Sequence, residues 1–359
     1  MNIQLVRRDN ASRLAMLSAP VLALVLTCMT SLVLFALLGK PAGTALYALL
    51  LKPFLSWYSF SEVLLKTAPL MLIAQGLAIG FRANVFNIGA EGQFIVGAVC
   101  ASAFPVFFPD GNFPLMLPAM ILAGAAGGMA YGCIAAGLRT RFGASEILVT
   151  LMLSLISVQI LNYLLLGPWK DPQGFNFPQS VMFPDNAMLP LLFEGMRTNI
   201  SLVFAIIASI LAHLMMQHHF SGYQLRTSGL APRAALYAGF HGGKMIWICL
   251  ALGGMAAGIA GASEVAGPMG QLQRSVASGY GYAAIIVAYM GGLRPIGIVI
   301  SSFLISVVYI GGDSATVVAG LPVAAVEVFQ GLLLSFYLLT FTLIRYRVEF
   351  FSVQERDNA

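Results

Sequence analysis

The segment from Leu14 to Leu38 contains no Asp, Glu, Lys or Arg. A helix rises about 1.5 Å per residue, so roughly 20 residues cross the ~30 Å hydrocarbon layer of a bilayer. This segment is long enough to do so. It is too long for the apolar stretch of a cleaved leader, and Leu37-Leu38-Gly39-Lys40 follows it in place of a small-residue cleavage site. It is expected to remain as a first membrane helix.

Charge-poor runs recur along the chain: Ser61–Phe81, Phe86–Phe107, Leu115–Leu138, Ile147–Leu166 and Thr198–Gln217, then Met245–Val265, Tyr280–Leu293, Pro295–Gly311 and Leu321–Ile344. With the first helix they make ten spans, of which the pair flanking Arg294 is short. Only 9% of the residues are charged and 59% are hydrophobic, against about 25% charged in soluble domains. A water-soluble fold would expose too much apolar surface. Closed barrels also satisfy the backbone in lipid, but they need alternating strands of about ten residues. These runs are continuous and twice as long. The expected fold is therefore all-α, a polytopic membrane bundle of about ten helices.

Charge fixes the expected orientation. If the N-terminus is cytoplasmic and the spans alternate, Arg7, Arg8, Arg13, Arg82, Arg139, Arg141, Arg226, Arg233, Lys244, Arg294, Arg345, Arg347 and Arg356 lie inside. That is 13 of the 19 Lys and Arg, leaving Lys40, Lys52, Lys66, Lys170, Arg197 and Arg274 outside. The bias predicts both termini inside, and it also explains the net charge of +5 without nucleic acid. Cys28, Cys100, Cys133 and Cys249 all lie in apolar runs with no CxxC spacing, so neither a disulfide framework nor a metal site is expected.

Three connections exceed simple turns. Lys40–Ser59, apolar with Trp57 and Tyr58, suits the membrane interface. Gly167–Arg197, rich in Pro, Asn and Gln, is expected to be an extended outer loop. His218–Lys244 lies inside; in it, Pro232 at a first helical position and Gly239 as a stop outline a short helix. Such a helix suits docking into another protein's groove, or simply lies on the bilayer surface. Gly124-Ala-Ala-Gly127-Gly128, Gly253-Gly254-Met-Ala-Ala-Gly258 and Gly291-Gly292 let helix backbones approach closely.

Polar residues interrupt the apolar pattern in Phe81-Arg-Ala-Asn-Val-Phe-Asn-Ile-Gly-Ala-Glu-Gly-Gln93. Asn84, Asn87 and Gly89 favour a sharp turn and a new helix start, where Glu91 would meet a positive helix end. The segment is either a cytoplasmic turn with a dipole-matched acid or a polar element folded against a pore, with Gln93 beside it. Glu327, with Gln330 nearby, lies inside the last span. A carboxylate in lipid is costly, so Glu327 is expected to face the bundle interior or water, lining a path or fixing packing. Glu62 and Lys66, four apart, are expected to pair.

These segments resemble the permease subunits of bacterial ABC importers that serve branched-chain amino acids, ribose and nucleosides. The resemblance rests on Asn84–Gln93, the Gly229–Gly239 loop, Gly253–Gly261, the Gly279–Gly297 stretch and Leu321-Pro-Val-Ala with Gln330-Gly331, together covering most of residues 60 to 345. The wording of Asn87-Ile-Gly-Ala-Glu-Gly-Gln93 most resembles the nucleoside and simple-sugar branch. It implies a single transmembrane permease domain over residues 1–359, with a first helix at 14–38, inverted repeats at 61–166 and 245–344, an outer loop at 167–197 and a coupling loop at 218–244. It implies three partners: a cytoplasmic ATPase dimer, a second permease (identical or paralogous) and an extracytoplasmic binding protein. By position, Arg226, Gly229, Pro232, Arg233, Ala234, Ala235, Tyr237 and Gly239 match the coupling element. Asn84, Asn87, Glu91, Gln93, Glu327 and Gln330 are the candidates for the translocation path.

No GxxxxGK[ST] phosphate loop, HExxH or G-x-S-x-G occurs. The chain is expected to hold no cofactor, perform no catalysis, and take its energy from a partner. The alternative is an ion-coupled secondary transporter, which would depend on a carboxylate such as Glu327.

Overall fold

Backbone N–H and C=O groups in lipid must pair within their own segment, and the long apolar runs accordingly become helices. A computed structural model describes residues 2–7, 13–110, 113–174 and 176–351, the side chains of 2–7, 13–17, 19 and 345–351 excepted. Arg8 and Arg356 of the orientation argument lie outside the described residues, as do the side chains of Arg7, Arg13, Arg345 and Arg347.

The chain runs β1 (Asn2–Arg7), α1 (Arg13–Leu37), α2 (Ala42–Leu50), α3 (Lys52–Leu55), α4 (Trp57–Arg82), α5 (Ala90–Phe107), α6 (Met116–Phe142) and α7 (Glu146–Leu166). It continues with α8 (Ser201–His218), α9 (Phe220–Leu230), α10 (Pro232–Tyr237), α11 (Gly242–Glu264), α12 (Tyr280–Met290), α13 (Pro295–Ala319), α14 (Val323–Arg345) and β2 (Tyr346–Phe351). Among the described residues, nine helices are long and apolar enough to cross a membrane. The tenth expected span is different. Its helix, α12, has 11 residues and reaches about 16 Å, half the hydrocarbon thickness. Between α11 and this helix the chain is irregular: a π-helical turn at Val265–Met269 prolongs α11, and a short 3-10 turn follows at Arg274–Val276.

The helices form two units. In the terminal unit, residues 1–55 with 307–359, α1 packs on α2 and α14, and Gly311 lets the Leu49 backbone come against α13. β1 and β2 pair antiparallel, from Asn2 opposite Phe351 to Arg7 opposite Tyr346. Residues 2–7 and 346–351 therefore lie on the same side of this unit. The Lys40–Ser59 connection is mostly the helices α2 and α3, where the sequence indicated only an apolar loop.

In the central unit, residues 56–306, α4 is almost wholly buried, with α8, α11 and α12 packed against it. α5, α6 and α11 pack on one another through the predicted glycine clusters. A Cβ at Gly258 would overlap backbone atoms of both Gly124 and Gly128. Larger residues there would force these backbones apart.

The outer loop is tied to the irregular segment between α11 and α12. Ser180 N–H donates to Leu272 O (3.0 Å), Phe183 N–H to Gly270 O (2.9 Å) and Leu189 N–H to Ala266 O (2.7 Å). Non-helical backbone is tolerated at the edge of a membrane only when it is satisfied in this way.

Candidate functional site

α4 ends because Asn84 takes a left-handed conformation (φ 58°), which Asn tolerates better than most residues. The chain then turns back along α4: Val85 N–H donates to Gly80 O at 2.9 Å. Three residues further on, Asn87 lies against Gly253 in α11. Residues 85–88 thus run along the bundle without helical hydrogen bonds, and α5 begins inside it.

One face of α7 satisfies this unwound backbone. Phe86 N–H donates to Glu146 Oε1 (3.4 Å), Ile88 N–H to Thr150 Oγ1 (3.2 Å) and Gly92 N–H to Ser154 Oγ (3.3 Å). Glu146 also pairs with Arg139. These three acceptors recur every four residues on a mostly apolar helix, a pattern present in the sequence but not singled out there. Asn87 and Gln93 close the turn reciprocally: Asn87 Nδ2 donates to Gln93 Oε1 (2.8 Å), and Gln93 Nε2 to Asn87 Oδ1 (3.3 Å).

Glu91 occupies the centre. Its side chain is buried, and it accepts from Gly279 N–H (2.9 Å) and Gly281 N–H (2.6 Å). These are backbone donors at the start of α12, which have no partner inside that helix. The carboxylate therefore sits at the positive end of α12, not only at that of its own helix. Gly281 allows the approach, because a Cβ there would overlap the Glu91 backbone. Two helix beginnings, those of α5 and α12, meet at this one buried acid.

A second polar contact lies toward the outer end. Lys66 Nζ pairs with Glu264 Oε1 at 2.9 Å, Glu264 being buried, and lies 5.0 Å from the ring centroid of Tyr280, the first residue of α12. The Tyr280 hydroxyl is 3.4 Å from the same Glu264 oxygen. The expected Glu62–Lys66 pair does not form. Glu62 instead pairs with Arg197 at 3.1 Å, and the hydroxyl of Tyr58 together with the Glu62 charge raises the Arg197 pKa. α4 is surrounded, so its charges find partners on other elements rather than one turn away. Lys66→Met would strand a buried Glu264. The expected loss is about 2 kcal/mol of stability, the usual range for a broken buried pair discounted for the partial exposure of Lys66, with much of it recovered in Lys66→Met/Glu264→Gln. Thermal unfolding in detergent measures both.

The last part of the site is at the opposite end, where α4, α8 and α12 finish. α9 and α10 form a limb braced by the rings of Phe220, Tyr223 and Phe240, whose centroids lie 5.9–6.2 Å apart. Pro232 opens α10 at its first position. The stop is a left-handed Gly239 (φ 78°), with Phe240 N–H donating to Ala235 O and Gly239 N–H to Leu236 O; these two bonds close a helix at a left-handed glycine. The expected short helix is present, and α9 before it is an addition. Ala235 is buried, Arg226, Arg233 and Ala234 are exposed, and Tyr237 is 94% exposed. Arg226 Nη2 donates to Met216 O at 3.1 Å. Gly229 rests on the Arg82 carbonyl and the Ala83 backbone with no room for a Cβ. The limb is thus seated on the hinge from which residues 83–89 depart.

Of the path candidates, Asn87, Glu91 and Gln93 come together. Asn84 is exposed at the turn. Glu327 and Gln330 lie on α14 in the terminal unit, where Gln330 is half-buried and Glu327 is exposed. Of the two settings expected for Glu327, bundle interior or water, its exposure fits the second.

Half-length and interrupted helices that meet inside a bundle are the architecture of a membrane transporter. The comparisons carry this further. A family described as the branched-chain amino acid transport system, permease component, matches residues 59–338. The glucose ABC transporter permease protein TsgB13 of Haloferax volcanii is 31% identical over 306 residues, covering 82% of this chain and 79% of that one. The guanosine ABC transporter permease protein NupP of Bacillus subtilis is 28% identical over 330 residues, with coverage of 90% and 93%. The nucleoside ABC transporter permease protein NupB of Lactococcus lactis is 28% identical over 291 residues, with coverage of 79% and 80%. The chain belongs to this permease family. It is a multi-pass membrane subunit of an ABC importer, as the sequence resemblance implied.

Proposed function

We propose that this chain and a second permease, identical or paralogous, enclose a pathway for a nucleoside or a simple sugar. A cytoplasmic ATPase dimer drives it and an extracytoplasmic binding protein supplies the solute. The chain itself performs no catalysis and holds no cofactor; ATP is hydrolysed by the partner. The reading of the solute rests on relatives named for glucose, guanosine and nucleosides.

One observation supports the coupling most directly, the seating of Gly229 on Arg82 and Ala83. α10 is the handle, with Leu236 and Tyr237 exposed for a partner's groove, and the α10 end of the bundle is cytoplasmic. A push on α10 passes through α9 to the hinge at Arg82–Asn84, then along residues 83–89 to Glu91 and the start of α12. Asn87, Glu91 and Gln93 are positioning residues, because their polar groups are committed to one another and to backbone. Asn84, as the hinge itself, takes up the change in backbone angle. Glu327, exposed on α14, faces water or the second permease, with Gln330 half-buried one turn on.

Tyr237→Asp tests the handle. It alters a fully exposed side chain, so the bundle should fold unchanged. The expected result is loss of ATP-driven uptake by more than tenfold and loss of the ATPase on co-purification. Normal ATPase retention would remove α10 from the coupling surface.

A further inference from the structure

Three arginines converge beside the coupling limb. Arg82 is the last residue of α4. Phe81 next to it stacks on Tyr289 of α12, with centroids 5.2 Å apart, which draws the α12–α13 turn and its Arg294 to the same place. Arg226 lies on α9, three residues before the Gly229 that rests on the Arg82 carbonyl. The charges of Arg226 and Arg294 both act on Arg82.

Among the described residues, no acid pairs with them. The ion pairs among the described residues are Lys66–Glu264, Arg139–Glu146 and Arg197–Glu62, and none includes these arginines. Arg226 donates to a neutral carbonyl, that of Met216, which leaves its charge unbalanced. Arg82 is half-buried, and Arg226 and Arg294 are exposed. Like charges held together in this way repel, and guanidinium groups take carboxylates in strong, often bidentate pairs. α4 is enclosed by other helices along nearly its whole length, and its last residue is half-buried beside the limb.

We propose that Arg82, Arg226 and Arg294 form a second docking point for the ATPase subunit, receiving an acidic side chain from it beside the groove that takes α10. This rests on the ATPase-driven reading above. The three elements joined by such a carboxylate are the hinge helix, the limb and the turn after α12. The tie would therefore hold together the parts that the coupling step moves.

The test uses the assembled permease–ATPase complex in nanodiscs, measuring ATPase affinity over a range of NaCl concentrations. Arg294→Gln and Arg226→Gln/Arg294→Gln are compared with Arg294→Lys, which keeps the charge. Thermal unfolding checks that each variant is folded. The double variant should bind the ATPase at least tenfold more weakly with a flatter salt dependence, and Arg294→Lys should recover most of the affinity. The result should be the same in discs of phosphatidylcholine with or without phosphatidylglycerol. Unchanged affinity and salt dependence would overturn the proposal. So would an effect seen only with phosphatidylglycerol, which would assign the cluster to a lipid headgroup. Failure of the wild-type chain to bind the ATPase at all would instead overturn the underlying reading, before any variant is compared.

Discussion

Glu91→Ala is expected to abolish uptake and to destabilise the isolated subunit by about 1–4 kcal/mol. The carboxylate accepts from the buried Gly281 N–H and the partly buried Gly279 N–H; a buried donor left without an acceptor costs about 1–3 kcal/mol, and one that water can reach costs less. At Gly281 water cannot readily replace it, since Ala90, Phe94 and Tyr280 around the site are themselves buried and Phe94 and Tyr280 meet edge-on at 5.7 Å. Glu91→Gln should be milder. It keeps one oxygen for one donor, but turns an amide NH2 toward the other and removes the charge at the α12 dipole. Glu91→Asp is one methylene too short to reach both donors and should also fall between wild type and Ala. Thermal unfolding with uptake on the same preparations gives the order. If Ala unfolds like wild type, Glu91 does not hold α12.

Gly229→Val is expected to leave a folded bundle that no longer transports. A Cβ at Gly229 meets the Arg82 carbonyl and the Ala83 backbone, neither of which can swing away as a side chain would. Overpacking of this kind costs about 1–3 kcal/mol, too little to unfold the central unit. It displaces α9 from the hinge. ATP-driven uptake should drop by more than tenfold while the ATPase remains bound and hydrolyses ATP, because α10 is still intact. Gly229→Ala should do the same to a smaller degree. ATP hydrolysed per solute imported measures this uncoupling directly. An unchanged ratio in Gly229→Val would show that the limb does not act through this contact.

These two sites differ in how far the sequence exposes them. Leu14–Leu38 and its counterparts are legible because the cost of burying charge in lipid is large and independent of partners. The same holds for α10: Pro232 and Gly239 mark its ends through backbone geometry that is local. The polar character of Asn87, Glu91 and Gln93 is equally visible. Their roles are not, because Glu91 acts on donors at Gly279 and Gly281, nearly two hundred residues away. The shortness of α12 is hinted at by Gly279, Gly291, Gly292 and Arg294, but an apolar run says nothing of where its first hydrogen bond forms. Spacing alone misplaced Lys66, since a local rule assumes a helix in water and α4 lies in the middle of a bundle. Thr150 and Ser154 were easily overlooked for a related reason. Such hydroxyls commonly bond their own helix, as Thr150 does with Glu146 O at 2.7 Å, and their second use on the backbone of residues 88 and 92 appears only in three dimensions.

The central claim is that work done by an ATPase on α10 moves solute through this chain. It is tested most directly by uptake of labelled guanosine and glucose into vesicles holding the chain, its second permease and the ATPase, with binding protein outside and ATP inside. The account predicts uptake of one of these solutes that requires ATP, the ATPase and the binding protein, and that survives collapse of the proton and sodium gradients. Uptake that continues without ATPase and binding protein, and stops when those gradients are dissipated, would contradict it.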